Sequence, residues 1–103
     1  MTWQPISETK LKLQLEDAVA EMSELDRKKF ISVQTPLYRI PCRRITNKTA
    51  DEQIFVVARS ENKILLFDDV EDEFGVADLV ETSLPVLEKW ELVGDLEAAL
   101  RKL

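Results

Sequence analysis

The sequence predicts an α+β domain in which an antiparallel sheet of three to four strands is packed by an N-terminal and a C-terminal helix. Apolar residues recur at helical spacing near both ends of the chain, and they alternate or run continuously in the middle. No Gly-, Ser- or Pro-rich linker divides the 103 residues, so residues 1–103 are expected to form a single domain.

The first predicted element is a helix over residues 7–25. Its apolar residues fall on one stripe at 3.6 residues per turn: Leu11, Leu15, Ala18, Val19, Met22 and Leu25. Ser7 is a suitable N-cap, and Ile6 before it is placed to pack on Leu11 as a hydrophobic staple.

Strand patterns follow in the middle of the chain. Residues 37–45 alternate apolar and polar side chains, and Pro36 and Pro41 predict an edge position because proline cannot donate to a strand ladder. Arg39 and Arg43 would then face solvent together. Residues 54–59 and 64–67 are nearly continuous apolar runs joined by four polar residues, which predicts an antiparallel hairpin. Its strands are expected to be central and covered on at least part of both faces, a cover that two helices could provide.

The second half is less regular until its end. Residues 68–83 are acidic and predict a loop with a helical turn around residues 76–80. Residues 86–93 fit a strand or a helix opened by Ser83 and Pro85, and the strand is favoured. A final helix is expected from Gly94 or Asp95 to Leu103, with acidic residues in its first turn and basic residues in its last.

Composition excludes several classes of function. The chain has no histidine, which removes the commonest general base and metal ligand. Its single cysteine, Cys42, cannot form an internal disulfide or a CxxC pair and is expected to be a buried packing residue in a reducing, cytoplasmic setting. Two glycines cannot supply a dinucleotide-binding or P-loop motif. We therefore predict no cofactor, no metal site, no membrane segment and no catalysis.

Charge is segregated along the chain. Residues 1–50 carry a net charge of +3 and residues 51–103 carry −9. Seven basic residues and no acidic ones lie between Arg27 and Lys48, and seven acidic residues and no basic ones lie between Asp68 and Glu81. The two blocks are either solvated faces, neighbours that neutralise each other, or binding surfaces. An overall pI near 4.7 disfavours nucleic acid as a partner.

The acidic block supplies the candidate binding residues. They are Asp68, Asp69, Glu71, Asp72 and Glu73, which would accept a basic protein and steer its approach. Trp3 is a further candidate for contact with a partner, whereas Trp90 is expected in the core. No register of this segment fits an EF-hand, because position 6 counted from Asp69 is Phe74 and not glycine.

The alternative site lies in the basic block. Arg39, Arg43 and Arg44 could form a clamp for phosphate or carboxylate in a small enzyme or anion-binding domain. The two hypotheses differ in where the charge blocks lie. Blocks that are apart and exposed favour binding, and blocks that converge on a pocket favour chemistry.

The second half of the chain resembles small bacterial proteins and, more distantly, the SMI1/KNR4-type immunity proteins. The resemblance rests on the hairpin, Phe67-Asp68, Glu71-Asp72, Phe74-Gly75, a further strand and a short closing helix. It covers about half of the chain and implies an α+β domain that neutralises a toxin. The function expected from the sequence is thus a non-catalytic cytoplasmic interaction protein, with an immunity- or antitoxin-like inhibitor as its specific form.

Overall fold

The fold is described from a computed structural model, which places residues 6–44, 47–83 and 85–103. In chain order the elements are helices α1 (Glu8–Glu21) and α2 (Glu24–Val33), strands β1 (Gln34–Arg44), β2 (Asn47–Arg59), β3 (Lys63–Asp68) and β4 (Glu73–Asp78), the short helix α3 (Leu79–Thr82), strand β5 (Glu91–Gly94) and helix α4 (Leu96–Lys102). The α+β class and the two terminal helices are confirmed. The sheet has five strands, where three to four were predicted.

Helix α1 begins as predicted and ends earlier. The Ser7 hydroxyl accepts a hydrogen bond from the backbone N–H of Lys10 at 3.1 Å, which caps the first turn. Leu11, Leu15 and Met22 are buried, but Leu25 is 79% exposed because the chain turns at residues 22–23 and starts a second helix. Leu25 therefore belongs to α2, and the single long helix was wrong.

Helix α2 was missed because it buries so little. Phe30 is the residue that it buries, and charged residues surround it. Its start does carry a local signal, since the Ser23 hydroxyl accepts from the backbone N–H of Asp26 at 3.2 Å. Arg27 ties the two helices together by donating from Nε to the Val19 carbonyl at 3.1 Å.

The sheet is a simple antiparallel meander in the order β1-β2-β3-β4-β5. The β2–β3 hairpin and the outer position of β1 confirm the sequence predictions. The predicted loop at residues 68–83 was wrong in its middle. Residues 73–78 pair with β3 along their whole length, and the helical turn starts after them, at Leu79.

Strand β5 is shorter than predicted. Residues 91–94 pair with β4, whereas residues 85–90 lack helix or strand structure apart from a bridge between Leu87 and Cys42. The alternative helix over this segment was wrong. Gly75 of β4 allows β5 to approach, because a Cβ there would collide with the carbonyl oxygen of Glu91.

Both faces of the sheet are buried. One face, called the outer face here, packs on α1, α2 and α4; its core consists of Leu11, Leu15, Met22, Phe30, Phe55, Val57, Ala58, Leu65, Phe67, Phe74, Leu96, Ala99 and Leu100. The inner face buries Cys42, Ile54, Val56, Ile64, Leu66, Ala77 and Leu87, with Trp90 packed against them. The predicted central position of β2 and β3 is confirmed.

The sheet is strongly curled, as chain length requires. Leu87 is bonded to the free edge of β1, where its N–H donates to the Pro41 carbonyl at 2.9 Å and its carbonyl accepts from Arg43 N–H at 2.8 Å. Glu91, four residues later, pairs with β4 at the other side of the sheet. Four extended residues span at most about 14 Å, whereas the outer strands of a flat five-stranded sheet lie about 19 Å apart. The edges must therefore curve toward each other over the inner face.

Helix α4 completes the outer face. Asp95 caps it by accepting from the Ala98 N–H at 2.8 Å, and Arg101 and Lys102 lie in its last turn, as predicted. Within the described ranges, no helix combines the length and the apolar character needed to cross a membrane.

Candidate functional site

The acidic residues at the β3–β4 turn divide into two groups, and the first group points inward. Asp68 ends β3 and is fully buried. Its Oδ1 accepts hydrogen bonds from the N–H groups of Val70 at 3.1 Å and Glu71 at 3.2 Å, and its Oδ2 accepts from Trp90 Nε1 at 3.2 Å. Asp68 thus fixes the turn and fastens residues 85–90 to it, so its carboxylate is not on the binding surface that the sequence suggested.

Asp69 also serves the fold. Its Oδ2 accepts from the backbone N–H of Ile6 at 2.9 Å, which attaches the chain before α1 to the turn. The structure thus adds a contact between residues 63 positions apart that the sequence did not indicate.

The second group, formed by Glu71, Asp72 and Glu73, lies toward solvent. Glu71 and Asp72 are exposed and Glu73 is half-buried. In the described part of the chain, their carboxylates take part in no ion pair. Asp72 has a φ of 55°, a left-handed conformation that Asp adopts more readily than most residues. Three uncompensated carboxylates therefore stand on a turn whose backbone is held from inside.

Val70 gives this turn an apolar component. Its side chain is 39% exposed, directly between the inward-pointing Asp69 and the exposed Glu71. We call Val70, Glu71, Asp72 and Glu73 the acidic turn. Protein interfaces typically have an apolar centre surrounded by a polar rim, and an exposed valine beside charged residues fits this arrangement.

The structure tests the prediction for one of the two tryptophans. Trp90 is partly buried against the inner core, in agreement with its expected place, and its indole N–H is used by Asp68. Trp3 lies outside the described residues.

Arg39 and Arg43 of the basic block have separate partners in the structure. The Arg39 guanidinium lies 4.7 Å from the centre of the Phe55 ring, a cation–π contact. Arg43 pairs with Glu88 at 2.9 Å and thereby joins β1 to residues 85–90. Nothing is described of the Arg44 side chain. Arg39 and Arg43 are thus already engaged with separate groups, which does not favour an anion clamp.

The pKa values of Asp26 and Glu91 are perturbed, and neither residue belongs to the acidic turn. Desolvation acts to raise the pKa of Asp26, but hydrogen bonds led by Arg101 outweigh it and hold that pKa below its usual value. A hydrogen bond from Lys102 at 2.6 Å lowers the pKa of Glu91. Both groups pair α4 with its neighbours, so their shifts reflect packing of the fold.

Cys42 is completely buried and belongs to the inner core, which confirms its packing role. Within residues 6–44, 47–83 and 85–103, no group of three or more Cys, Asp or Glu side chains is arranged to hold a metal ion.

Comparison of the chain with family models, with curated proteins and with solved structures finds no match. The assignment of a function therefore rests on the chain's own geometry.

The sequence indicated only part of the difference between the buried Asp68 and the exposed residues of the acidic turn. An Asp at the end of a strand often accepts from the N–H two residues later, as Asp68 does, and this pattern was available in the sequence. The partnership with Trp90, 22 residues away, was not.

Proposed function

We propose that the protein is a non-catalytic binding domain whose acidic turn docks on a basic surface of a partner protein. The observation that carries this proposal is the combination at the β3–β4 turn of three carboxylates without ion pairs and a backbone fixed by the buried Asp68. A preorganised charged surface loses little conformational freedom on binding, and its charge accelerates the approach of an oppositely charged partner.

The chemistry of the partner follows from the turn. Lys and Arg side chains would meet Glu71, Asp72 and Glu73, and an apolar side chain would cover Val70. The resemblance of the second half to SMI1/KNR4-type immunity proteins favours a toxin-like partner, so inhibition by occlusion is the specific form that we propose. Trp3 remains a predicted contact from the sequence.

The experiment compares two variants that lose the same number of charges. In the turn variant, Glu71→Gln, Asp72→Asn and Glu73→Gln are combined; Asn retains the ability of Asp72 to adopt a positive φ. In the control variant, exposed acids of α1 are replaced instead: Glu8→Gln, Asp17→Asn and Glu21→Gln. Each immobilised protein is exposed to lysate of its host cells at low and high salt, and bound proteins are quantified by mass spectrometry.

We expect the wild type and the control variant to retain the same basic protein, and the turn variant to lose it. The loss should be largest at low salt, because charges are screened over a Debye length of about 8 Å at physiological ionic strength. Melting temperatures should agree among the three proteins, since exposed carboxylates contribute little to stability. Equal retention by the turn and control variants, or no selectively retained protein, would contradict the proposal.

A further inference from the structure

A second surface, remote in sequence from the acidic turn, has the features of a small-molecule site. A groove of about 520 Å³ lies between α1, α2 and the start of β1. Protein pockets for small ligands typically measure about 300–1,000 Å³ and combine an apolar lining with a few polar groups. The groove has this composition: its apolar wall includes Leu15, Val19, Phe30, Ile31 and Leu37.

The apolar wall is open to solvent at its mouth. Ile31 is 63% exposed although it lies on the groove side of α2. Binding of an apolar ligand would remove this aliphatic surface from water, which is favourable in free energy.

Thr35, one of the residues that line the groove, carries a polar atom without a partner. Its hydroxyl oxygen is buried and makes no hydrogen bond within the described structure. Buried polar atoms are nearly always hydrogen-bonded, so this hydroxyl has an unused capacity that a ligand atom in the groove could fill. Thr35 lies where the β1–β2 register shifts between Gln34 and Tyr38, which places its side chain in an irregular stretch of the strand.

The charge of the groove is opposite to that of the molecule. The chain as a whole carries −6, whereas the charged residues of the groove are Lys12, Arg27 and Glu16, with a net charge of +1. Arg27 is held in place by the carbonyls of Val19, Ala20 and Met22, at 3.1–3.2 Å. Lys12 has no ion pair in the described residues and is available for a ligand.

We infer that this groove binds a small amphipathic organic anion. The apolar body of the ligand packs between α1 and α2, and its acidic head pairs with Lys12. The hydroxyl of Thr35 bonds to a polar atom of the ligand when its side chain turns toward the groove. This site shares no residue with the acidic turn, so either proposal can fail without the other.

The probes are three ligands with the same apolar chain and different heads: decanoate, decanol and decyltrimethylammonium. The two ions are used below their micelle-forming concentrations and decanol below its solubility limit. Affinity is measured by calorimetry, and the location of binding by shifts of backbone amide NMR signals. We expect decanoate to bind one per chain and at least about tenfold more tightly than the cationic analogue, with shifts confined to α1, α2 and the start of β1.

Variants of the chain separate a built site from general charge attraction. Lys12→Glu should weaken decanoate binding by about tenfold, whereas Lys10→Glu, the same change two residues away and outside the groove, should weaken it less than about twofold. Thr35→Val should weaken binding without lowering the melting temperature. Ala20→Phe, which fills the groove from an exposed position, should abolish binding.

Equal binding of the three ligands, equal effects of the two lysine variants, or no binding at millimolar decanoate would overturn the inference. So would a concentration-dependent dimer that Ala20→Phe dissociates, because the groove would then be covered by a second copy of the chain.

Discussion

The outer face of the sheet is covered by three helices. The inner face, which a second helix was expected to cover, is covered mainly by the irregular residues 85–90, with Leu79 of the short helix α3 packed beside them. Both coverings bury their central side chains to the same degree: Phe30 of α2 and Leu87 of the irregular segment are each 1% exposed. An irregular segment can therefore bury a side chain on a sheet face as completely as a helix does. Leu87 is held instead by backbone hydrogen bonds to β1, and Trp90 by the buried carboxylate of Asp68.

The largest expected effect is that of a substitution in α2, the helix of the outer face that the sequence did not predict. Phe30→Ala should lower the free energy of unfolding by about 3–5 kcal/mol, because a large aromatic side chain that is 1% exposed is removed from the outer core. Lys29→Ala on the exposed side of α2 should change it by less than about 0.5 kcal/mol. Urea titrations measure both values. If the two variants had equally small effects, α2 would not be packed on the sheet.

The matching test on the inner face is Leu87→Ala. We expect a loss of about 2–5 kcal/mol in the free energy of unfolding, within the range for aliphatic side chains in regular cores. The exposed neighbour Lys89→Ala serves as the control. A loss below about 1 kcal/mol in the same urea titration would mean that the irregular segment covers the inner face only loosely, and the two faces would then differ in energy as they do in structure.

Gly75→Ala tests the contact between β4 and β5, the strand that follows residues 85–90 and precedes α4. The added methyl group would collide with the Glu91 carbonyl oxygen, and backbone must move to admit it. We expect a destabilisation of about 1–3 kcal/mol, as in overpacked sites. Amide hydrogen exchange should accelerate in β5 and less in the β2–β3 hairpin. Uniform acceleration throughout the sheet would argue against a local clash.

The smallest expected effect is a pH dependence at the outer face. Lys102 lowers the pKa of Glu91 in the folded protein, so their pairing stabilises the fold at pH values above the ordinary Glu pKa of about 4.3. This contribution is lost as the pH falls through the lower folded-state pKa. Lys102→Ala should therefore melt slightly below the wild type at neutral pH, and the difference should disappear in acid. A difference that persists in acid would show that Lys102 acts through packing and not through charge.

The predictable parts of the fold are those that local sequence determines. Helices α1 and α4 have apolar periodicity over their own length, the β2–β3 hairpin has two apolar runs, and Ser7 and Asp95 mark helix starts. Helix α2 has no apolar stripe of this kind, because Phe30 is the residue that it buries. Strand β4 was not predicted, because the acidic residues at its start are typical of a loop. Its pairing with β3 comes from a contact that this local sequence does not indicate.

For the acidic residues of the candidate site, the sequence did not indicate which side chains are buried and which are exposed. Asp68 and Asp72 are the same residue type four positions apart, yet the structure places the first in the core and the second in solvent. Asp68 accepts hydrogen bonds from the turn backbone and from the indole of Trp90. A partner 22 residues away, such as Trp90, leaves no pattern in the neighbouring sequence. The groove beside α2 was missed for the same reason as α2 itself.

The bond between β1 and residues 85–90 also has a consequence for synthesis on the ribosome. Arg43 meets Glu88 only after 45 further residues have been made, so the free edge of β1 stays bare during that interval. An unpaired strand edge is a template for pairing with other chains. Pro36 and Pro41 lie on this edge strand and offer no N–H to an incoming strand, and Arg43 adds a charge. The nascent chain thus carries its own protection against misassembly until the later segment arrives.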